Sequence, residues 1–481
     1  MHRKQIFNVL GALWIFLGTT MLLALPFSIY YGDGDTIAIL LSAGITIGSG
    51  FLLWVTTRGG SDIRVRDGFA IVTFGWITSA LFGMLPFLLS SAIESPVNAF
   101  FESMSGFTTT GASILTDIEA LPHGILFWRS LTHWLGGMGI IVFSLAILPM
   151  LGIGASQLYK AEAPGPTKDR FTPRIRETAK LLWITYILIS VVEVTMLWAG
   201  GMEFFDSVCH TFGTMATGGF STKNASIAHY NSAYFDYVII FFMILAGSNF
   251  ALHFRMFKGD FTAHVRDKEF RFYLGAISVV SIIVLLIVFM GEKISPDLAL
   301  RHSLFQVVSI ITTTGYITAD YELWLPVGQL LMVALMFVGA CASSTGGSVK
   351  IIRVTILLKH ASYEIRKLVH PTAVYPVKLG DRIISDDVIK NVLAFFLFYM
   401  AIFVVVSIIM AGMGLDILSS VSVTASALGN IGPALGSVGP TDNYFHLPAA
   451  AKLLLNFCML LGRLELFTVI VLFSRTFWKR K

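Results

Sequence analysis

Apolar runs long enough to cross a membrane recur along the whole chain, separated by short polar or basic stretches. Two runs, at 6–30 and 36–57, come first, and four pairs of runs follow. Most are about 20 residues or longer, the length at which an α-helix spans the hydrocarbon core of a bilayer. The pattern therefore predicts an all-α integral membrane protein. The four pairs lie at 68–91 and 125–151, 179–200 and 234–257, 272–290 and 323–359, and 388–411 and 448–475.

A shorter apolar segment lies between the two long runs of every pair and is too short to cross a bilayer. Two of these segments open with Ser95-Pro96 and Ser295-Pro296, in which Ser is a good N-cap and Pro fits the first helical position. We expect four half-helices that enter the membrane and turn back, each between a first and a second span. The predicted fold is four span–half-helix–span repeats in a pseudo-fourfold arrangement, after an N-terminal two-helix hairpin.

A glycine-containing loop follows every half-helix. The first and third loops read Thr-Thr-Thr-Gly, the second Ala-Thr-Gly-Gly and the fourth Gly-Asn-Ile-Gly. Their last glycines are 108, 96 and 117 residues apart, which is the signature of a fourfold internal repeat rather than of unrelated turns. These segments are called the four glycine loops below: residues 108–111, 216–219, 312–315 and 429–432.

Thr and Gly suit a site at which a cation loses its water. Backbone carbonyls arranged in rings replace a hydration shell, and glycine permits the backbone angles that aim successive carbonyls at one axis. The negative C-terminal ends of four half-helices favour a cation at the same place. We therefore expect an ion-selectivity filter that binds its ion through Thr109, Thr110, Gly111, Thr217, Gly218, Gly219, Thr313, Thr314, Gly315, Asn430, Ile431 and Gly432.

The second span of the third repeat contains ten consecutive small or polar residues, 339–348. Irregular backbone at membrane depth is tolerated where it is buried in protein or lines a water-filled cavity. One interpretation is a flexible intramembrane loop that obstructs the ion path and acts as a gate. The other is a continuous helix that packs through small residues spaced four apart. The residues of this segment are Gly339, Ala340, Cys341, Ala342, Ser343, Ser344, Thr345, Gly346, Gly347 and Ser348.

Arg463 lies in the middle of the last span, where a charge is costly unless it is paired or hydrated. It either lines the pore as an electrostatic barrier or pairs with Glu193 or Glu465. Three histidines also fall within apolar segments, and we interpret them as satisfied membrane side chains rather than as metal ligands or proton relays: His133, His210 and His253.

Composition supports the membrane assignment. Of the 481 residues, 55% are hydrophobic and 13% are charged, and the mean hydropathy is +0.76, whereas soluble proteins carry about 25% charged residues. The three cysteines have no CxxC spacing, which argues against a disulfide framework and against a zinc site. The first apolar run is too long for a secretory signal and is expected to remain as a span.

The basic residues are distributed unevenly between the two faces. Most of the 34 Lys and Arg residues fall in the termini and in the linkers at 152–178, 258–271 and 359–387. This bias predicts that both termini are cytoplasmic, and it explains the net charge of +5 without nucleic-acid binding. The exceptions are Arg463, within a span, and five residues on the opposite face: Arg129, Lys223, Lys293, Arg301 and Lys452.

With its four repeats, four glycine loops, 339–348 segment and Arg463, the chain resembles the Trk/Ktr/HKT superfamily of potassium transporters, and the N-terminal hairpin favours the Trk branch. The resemblance implies potassium as the transported ion, with rubidium as a possible substitute, because glycine at all four filter positions accompanies potassium selectivity in that superfamily. It also implies that 339–348 is the gating loop and Arg463 the pore arginine. Further implications are a homodimer in the lipid membrane and a cytosolic ring of TrkA-like nucleotide-binding subunits.

The expected function is potassium uptake across a bacterial inner membrane, without enzymatic activity and without a cofactor in this chain. A proton- or sodium-coupled potassium symporter with alternating access is the alternative, although it predicts inverted repeats, and the repeats here share one orientation. The expected division of the chain is a hairpin at 1–60 and pore repeats at 61–155, 156–260, 261–360 and 361–481.

Overall fold

The computed structural model describes residues 2–59, 65–146, 171–291, 294–371, 377–379 and 382–479. Most of the predicted linker 152–178, the predicted boundaries near 61 and 155 and the basic residue Lys293 lie outside the described residues. The regular secondary structure of the described residues is helical, apart from an isolated bridge and one short hairpin in which Lys378–Leu379 pairs antiparallel with Arg382–Ile383. The predicted all-α membrane fold is confirmed.

The N-terminal hairpin is present as predicted. Its first arm is Arg3–Met21, continued by Leu22–Ala24 and Leu25–Tyr31, and its second arm is Thr36–Thr56. The arms approach closely at glycines: a Cβ atom at Gly50 would lie 2.8 Å from the carbonyl oxygen of Gly11. Small residues permit such backbone contact between membrane helices.

Four repeats follow, each with a first span, a half-helix and a second span. The first spans are Val65–Gly83 with Leu85–Leu89, Phe171–Ala199, Lys268–Gly291 and Asp386–Gly412. The half-helices are Pro96–Phe107, Phe204–Met215, Pro296–Ile311 and Ile417–Gly429. The second spans are His123–Ala146, Ala233–Ala246 with Phe250–Phe257, Pro326–Leu335 with Ile351–Val369, and Ala449–Arg463 with Phe467–Ile470. Short helices at Ala263–Arg266 and Arg475–Trp478 complete the described helices, together with single 3-10 turns at Ser226–Tyr230, Tyr321–Leu323 and Val471–Phe473.

Polar residues start the half-helices where the sequence predicts. Ser95 and Ser295 each precede a proline at the first helical position, and the Ser295 side chain accepts a hydrogen bond from the N–H of Leu298 at 3.4 Å. Asp416 caps the fourth half-helix by accepting from the N–H of Ser419 at 3.2 Å. These caps satisfy backbone donors that have no partner inside the helix.

The second spans of repeats 2 and 4, predicted at 234–257 and 448–475, are each bent into two helices, and the sequence analysis did not predict these bends. The chain turns by 100° between Ala233–Ala246 and Phe250–Phe257 and by 111° between Ala449–Arg463 and Phe467–Phe473. At the first break, Asn249 starts a new helix by accepting from the N–H of Ala251 at 2.9 Å.

The second break lies at Glu465 and Leu466, which have φ angles of 55° and 54°. These left-handed angles cannot continue an α-helix. The break therefore follows from local backbone conformation, although the flanking residues are apolar.

Six described helices are long and apolar enough to cross a membrane, or eight if each bent pair counts as one span. The sequence predicted ten crossings. Two second spans account for the difference: His123–Ala146 carries Arg129 and His133, and the chain between Pro326 and Val369 is interrupted. Both depart from a uniformly apolar helix because they face the glycine loops rather than only lipid.

Candidate ion pathway

All four half-helices end in the same turn, which leads directly into a glycine loop. In each, a backbone N–H just beyond the end of the helix donates to the carbonyl five residues earlier, as in a Schellman motif. The four bonds are Thr110 N to Ser105 O at 2.9 Å, Gly218 N to Gly213 O at 2.8 Å, Thr314 N to Ser309 O at 2.8 Å and Ile431 N to Ser426 O at 3.0 Å.

The loops also share two positions with positive φ. The first holds a non-glycine residue: Thr109 at 51°, Thr217 at 53°, Thr313 at 59° and Asn430 at 53°. The second holds the final glycine: Gly111 at 82°, Gly219 at 79°, Gly315 at 78° and Gly432 at 101°. A left-handed β-branched residue is strained and persists only where its surroundings impose it. The fourth loop thus adopts the conformation of the others despite its different sequence, with Asn, which tolerates this region well.

The four loops form a closed ring. A Cβ atom at Gly111 would overlap the carbonyl oxygen of Gly218, in the second loop. Each remaining glycine meets the next loop in turn: Gly219 meets the carbonyl of Thr314, Gly315 that of Ile431, and Gly432 that of Thr110, at 2.7 Å in the last case. The contacts run through repeats 1, 2, 3 and 4 and return to 1. The predicted site residues from four distant parts of the chain therefore lie together around one axis.

One cavity opens on the ring and is lined by all four final glycines. The residues that follow the glycines also line it, including Ala112, Phe220 and Pro433. The chain of each loop therefore runs from its half-helix, through the ring and up the wall of the cavity.

Several side chains of the loops form hydrogen bonds with neighbouring protein groups. The hydroxyls of Thr108 and Thr110 are 2.8 Å apart, and those of Thr312 and Thr314 are also 2.8 Å apart. The amide nitrogen of Asn430 donates to Thr110 Oγ1 at 3.0 Å, which joins repeat 4 to repeat 1. These hydroxyls and the amide brace the loops from behind.

A second set of braces, which sequence reasoning missed, stands nine residues before the final glycine in repeats 1 to 3. In repeat 1, Glu102 accepts from Ser113 Oγ and from the N–H of Ile114, both at 2.9 Å. The corresponding residues in repeats 2 and 3 make similar contacts: His210 Nε2 lies 2.9 Å from Ser221 Oγ, and the side-chain oxygen of Gln306 accepts from the N–H groups of Thr318 at 2.8 Å and Ala319 at 3.1 Å. In repeat 4 this position is Val423, and the neighbouring Ser422 accepts from the N–H of Leu435 at 3.1 Å instead. The shared offset from the glycines in repeats 1 to 3 was the available sequence signal.

Arg129 links the first two loops from behind. Its guanidinium forms a buried ion pair of 2.7 Å with Glu102 and donates to the carbonyl of Ser221 at 2.9 Å. It also stacks 3.6 Å from the ring centroid of Phe220. Breaking a buried pair of this kind by removing one partner costs about 3–5 kcal/mol, because the other charge is left uncompensated.

The 339–348 segment is irregular, so the continuous-helix interpretation was wrong. The helix before it ends at Leu335, the next begins at Ile351, and every residue of the segment except Ser343 is buried. An isolated bridge between Val338 and Val349 closes its base.

This segment touches the ends of three half-helices. Thr345 Oγ1 donates to the carbonyl of Met215 at 3.0 Å, and the N–H of Gly347 donates to Thr313 Oγ1 at 2.6 Å. A Cβ atom at Gly347 would overlap the carbonyl oxygen of Gly429. The loop and helix residues that the segment contacts come before the final glycines along the chain, whereas the cavity is lined by the glycines and the residues after them. The segment therefore lies on the opposite side of the ring from the cavity.

Arg463 contacts the segment directly. Its Nη1 donates to the carbonyl of Thr345 at 2.6 Å, its Nη2 donates to the carbonyl of Gly136 at 3.0 Å, and the residue is 2% exposed. The sequence left open an ion pair between Arg463 and either Glu193 or Glu465. In the described structure Arg463 pairs with neither, because Glu465 pairs with Arg353 and Glu193 forms no ion pair.

The three membrane histidines bond or stack within the protein. His210 Nδ1 lies 2.8 Å from the carbonyl of Asp206, and His253 Nε2 lies 2.7 Å from Ser248 Oγ. His133 stacks on Phe220 with ring centroids 3.9 Å apart. Within the described ranges, no group of three or more His, Cys, Asp or Glu residues could hold a metal ion.

Comparison with known proteins agrees with this architecture. Residues 37–480 match the TrkH family, described as cation transport proteins. The Trk system potassium uptake protein TrkH of Escherichia coli (strain K12) is 41% identical over 490 residues, and that of Halomonas elongata is 40% identical over 484 residues; both alignments cover 100% of each chain. The crystal structure of the potassium transporter TrkH from Vibrio parahaemolyticus superposes with a TM-score of 0.92 at 35% identity, covering 100% of each chain. These relatives are transporters rather than enzymes, and the chain belongs to the TrkH family of cation transport proteins.

Proposed function

We propose that this chain takes up potassium across the bacterial inner membrane by passing it through the ring of four glycine loops. The observation that carries the proposal is the closed sequence of contacts from Gly111 through Gly219 and Gly315 to Gly432. Such a ring surrounds one axis with backbone carbonyls, which exchange for the hydration shell of a monovalent cation. The relatives named potassium uptake proteins support potassium as the ion.

The carbonyl oxygens, rather than the hydroxyls, are the proposed ligands. Thr108 and Thr312 engage the hydroxyls of Thr110 and Thr314, which leaves the backbone to face the axis. The C-terminal ends of the half-helices point at the ring and add about 0.3–1 kcal/mol each toward a cation. Rubidium is similar to potassium in size and charge and is expected to follow the same path.

The proposed gate is the 339–348 segment together with Arg463. Its contacts with Met215, Thr313 and Gly429 support a position across the path on the inner side of the ring. The guanidinium adds a positive charge beside it, which opposes the passage of a cation. Conduction then requires that the segment be displaced from the half-helix ends.

The driving force is proposed to be the membrane potential. A potential of about 150 mV is worth roughly 3.5 kcal/mol per charge, which corresponds to accumulation of several hundred-fold. We further propose that the chain works as a homodimer with both termini in the cytoplasm. A ring of TrkA-like nucleotide-binding subunits would control it there, as expected for one component of a multi-component Trk system.

Rubidium uptake into proteoliposomes under an imposed potential tests this proposal. The expected result is uptake that follows the potential without a sodium or proton gradient. Uptake that strictly requires either gradient would contradict the passive mechanism and favour the coupled symporter. Liposomes that contain the Gly315→Ser variant serve as the comparison for the role of the ring.

A further inference from the structure

The cavity above the ring contains a positive charge in a place where a cation must pass. Three charged residues line it: Arg129, Lys223 and Asp442. The charge of Arg129 is neutralised by its 2.7 Å ion pair with the buried Glu102. Lys223 is the second basic residue of the lining, and Asp442 is its one acidic residue among the described residues.

Lys223 is held by one carboxylate at the start of the second half-helix. Its Nζ lies 3.4 Å from Asp206 Oδ2, and the side chains of the two residues are 23% and 6% exposed. Asp206 also accepts from Thr222 Oγ1 at 2.7 Å and from the Tyr230 hydroxyl at 2.8 Å. The carboxylate is thus fixed by neighbouring hydroxyls, and its partner Lys223 belongs to the lining of the cavity.

The other basic residues on this face do not line the cavity in the described structure. Arg301 forms an ion pair of 3.1 Å with Asp236. Lys452 donates to Asn98 Oδ1 at 2.8 Å and to the carbonyl of Phe445 at 2.7 Å. Lys452 therefore provides a natural control, since it carries the same charge on the same face away from the cavity.

We propose that Lys223 and Asp206 form a charge pair that sets the affinity with which cations load the ring from the outside. This inference rests on the proposed function. The ammonium repels a monovalent cation in the cavity, and Asp206 limits that repulsion by its proximity. Low-dielectric walls around a narrow cavity strengthen such effects relative to bulk water.

Rubidium uptake by cells that lack their own potassium uptake systems tests the pair. The variant Lys223→Gln removes the repulsion and is expected to lower the half-saturating rubidium concentration by about threefold or more at low ionic strength. Added salt should narrow this difference, because salt screens exposed charges. Asp206→Asn leaves the ammonium unneutralised and is expected to raise the half-saturating concentration.

The double variant separates an electrostatic role from a structural one. Asparagine retains an acceptor for Thr222, so adding Lys223→Gln to Asp206→Asn should return the half-saturating concentration close to that of the unaltered chain. A merely structural role predicts no such rescue, and that result would overturn the inference. Lys452→Gln should leave the half-saturating rubidium concentration unchanged. If this control shifted that concentration as much as Lys223→Gln does, the effect would be a general one of surface charge, and the inference would also be overturned.

Failure of the inference is distinguishable from failure of the proposed function. If the unaltered chain supports rubidium uptake and Lys223→Gln does not change its concentration dependence, only the role of the charge pair is refuted. If cells that contain the unaltered chain take up no more rubidium than cells that lack the chain, the proposed function itself is refuted, and the inference is refuted with it.

Discussion

The guanidinium of Arg463 donates a hydrogen bond of 2.6 Å to the carbonyl oxygen of Thr345, in the interior of the 339–348 segment. A second donor of the same group reaches the carbonyl of Gly136, in repeat 1, at 3.0 Å. Arginine is suited to this position because its planar group presents several donors in fixed directions and stays charged. One side chain of repeat 4 thus connects the segment of repeat 3 to repeat 1.

Replacing Arg463 by Gln should raise the basal rubidium flux. Hydrogen bonds from a charged group contribute about 1.5–3 kcal/mol, so their loss should increase the population of the displaced segment by about tenfold or more. Flux into proteoliposomes without regulatory subunits measures this. Arg475→Gln, a change at an exposed arginine further along the chain, is the matched control. A flux equal to that of the unaltered protein, from a variant that remains monodisperse, would count against the gate.

Glu269 tethers the same segment from the first turn of the helix Lys268–Gly291, the first span of the third repeat. Its Oε1 accepts from the N–H of Ala342 at 2.7 Å. We expect Glu269→Ala to raise the basal rubidium flux, and Glu269→Gln to raise it less, because the amide oxygen still accepts a hydrogen bond although it lacks the charge. Asp260→Asn is the control, since this partly exposed carboxylate accepts hydrogen bonds from Arg255 and Thr262 rather than from the segment. Equal fluxes for the alanine variant and the control would refute the tether.

Gly315→Ser should weaken discrimination between potassium and sodium. A Cβ atom there would overlap the carbonyl of Ile431, and the φ of 78° disfavours any side chain. The fourth loop must shift, and we expect the potassium-to-sodium permeability ratio to fall by about tenfold, equivalent to 1.4 kcal/mol. Gly275→Ser is the control, because a Cβ atom at Gly275 meets nothing within 4 Å. A variant with unaltered selectivity would argue that the ring does not select the ion.

Asp33 attaches the N-terminal hairpin to the second span of repeat 1 in a pH-dependent manner. Its carboxylate accepts from the backbone N–H of His123 at 2.7 Å, and this bond, followed by the contact with the His123 ring, lowers the pKa of Asp33 below its ordinary value. A lowered pKa in the folded state stabilises the protein above the unfolded-state value of about 3.9, and this contribution disappears as the pH falls through the lowered value.

The unfolding temperature in detergent tests this linkage. Between about pH 5 and pH 3, the unaltered protein should lose more thermal stability than Asp33→Asn, which does not titrate. The two proteins should differ in this loss by less than about 1 kcal/mol in the free energy of unfolding, because Asp33 and His123 are partly exposed to solvent. Parallel pH profiles for the two proteins would show that this contact does not contribute.

Hydrophobic periodicity and the repeat of the glycine loops were sufficient to predict the helical fold, the N-terminal hairpin and the half-helices. The run of small residues at 339–348 was compatible with an irregular loop and with a tightly packed helix, and the structure was needed to decide between them. The bend at Glu465 and Leu466 was missed because it depends on backbone angles, and apolar residues flank it on both sides.

The braces behind the ring were missed for a different reason. Glu102, His210 and Gln306 differ in chemistry, so no motif joins them until the repeats are aligned on their glycines. The ion pair of Glu102 with Arg129 requires the distance between two helices, which the sequence does not contain. The sequence also could not predict the partner of Arg463, because that partner is a backbone carbonyl, which no pattern of side chains indicates.

The position of a bound rubidium ion tests the central claim most directly. Crystals grown in rubidium, measured at the rubidium absorption edge, should show anomalous density on the axis of the ring, between the carbonyl oxygens of the four glycine loops. Density that lies elsewhere in the protein, with none on that axis, would contradict the account.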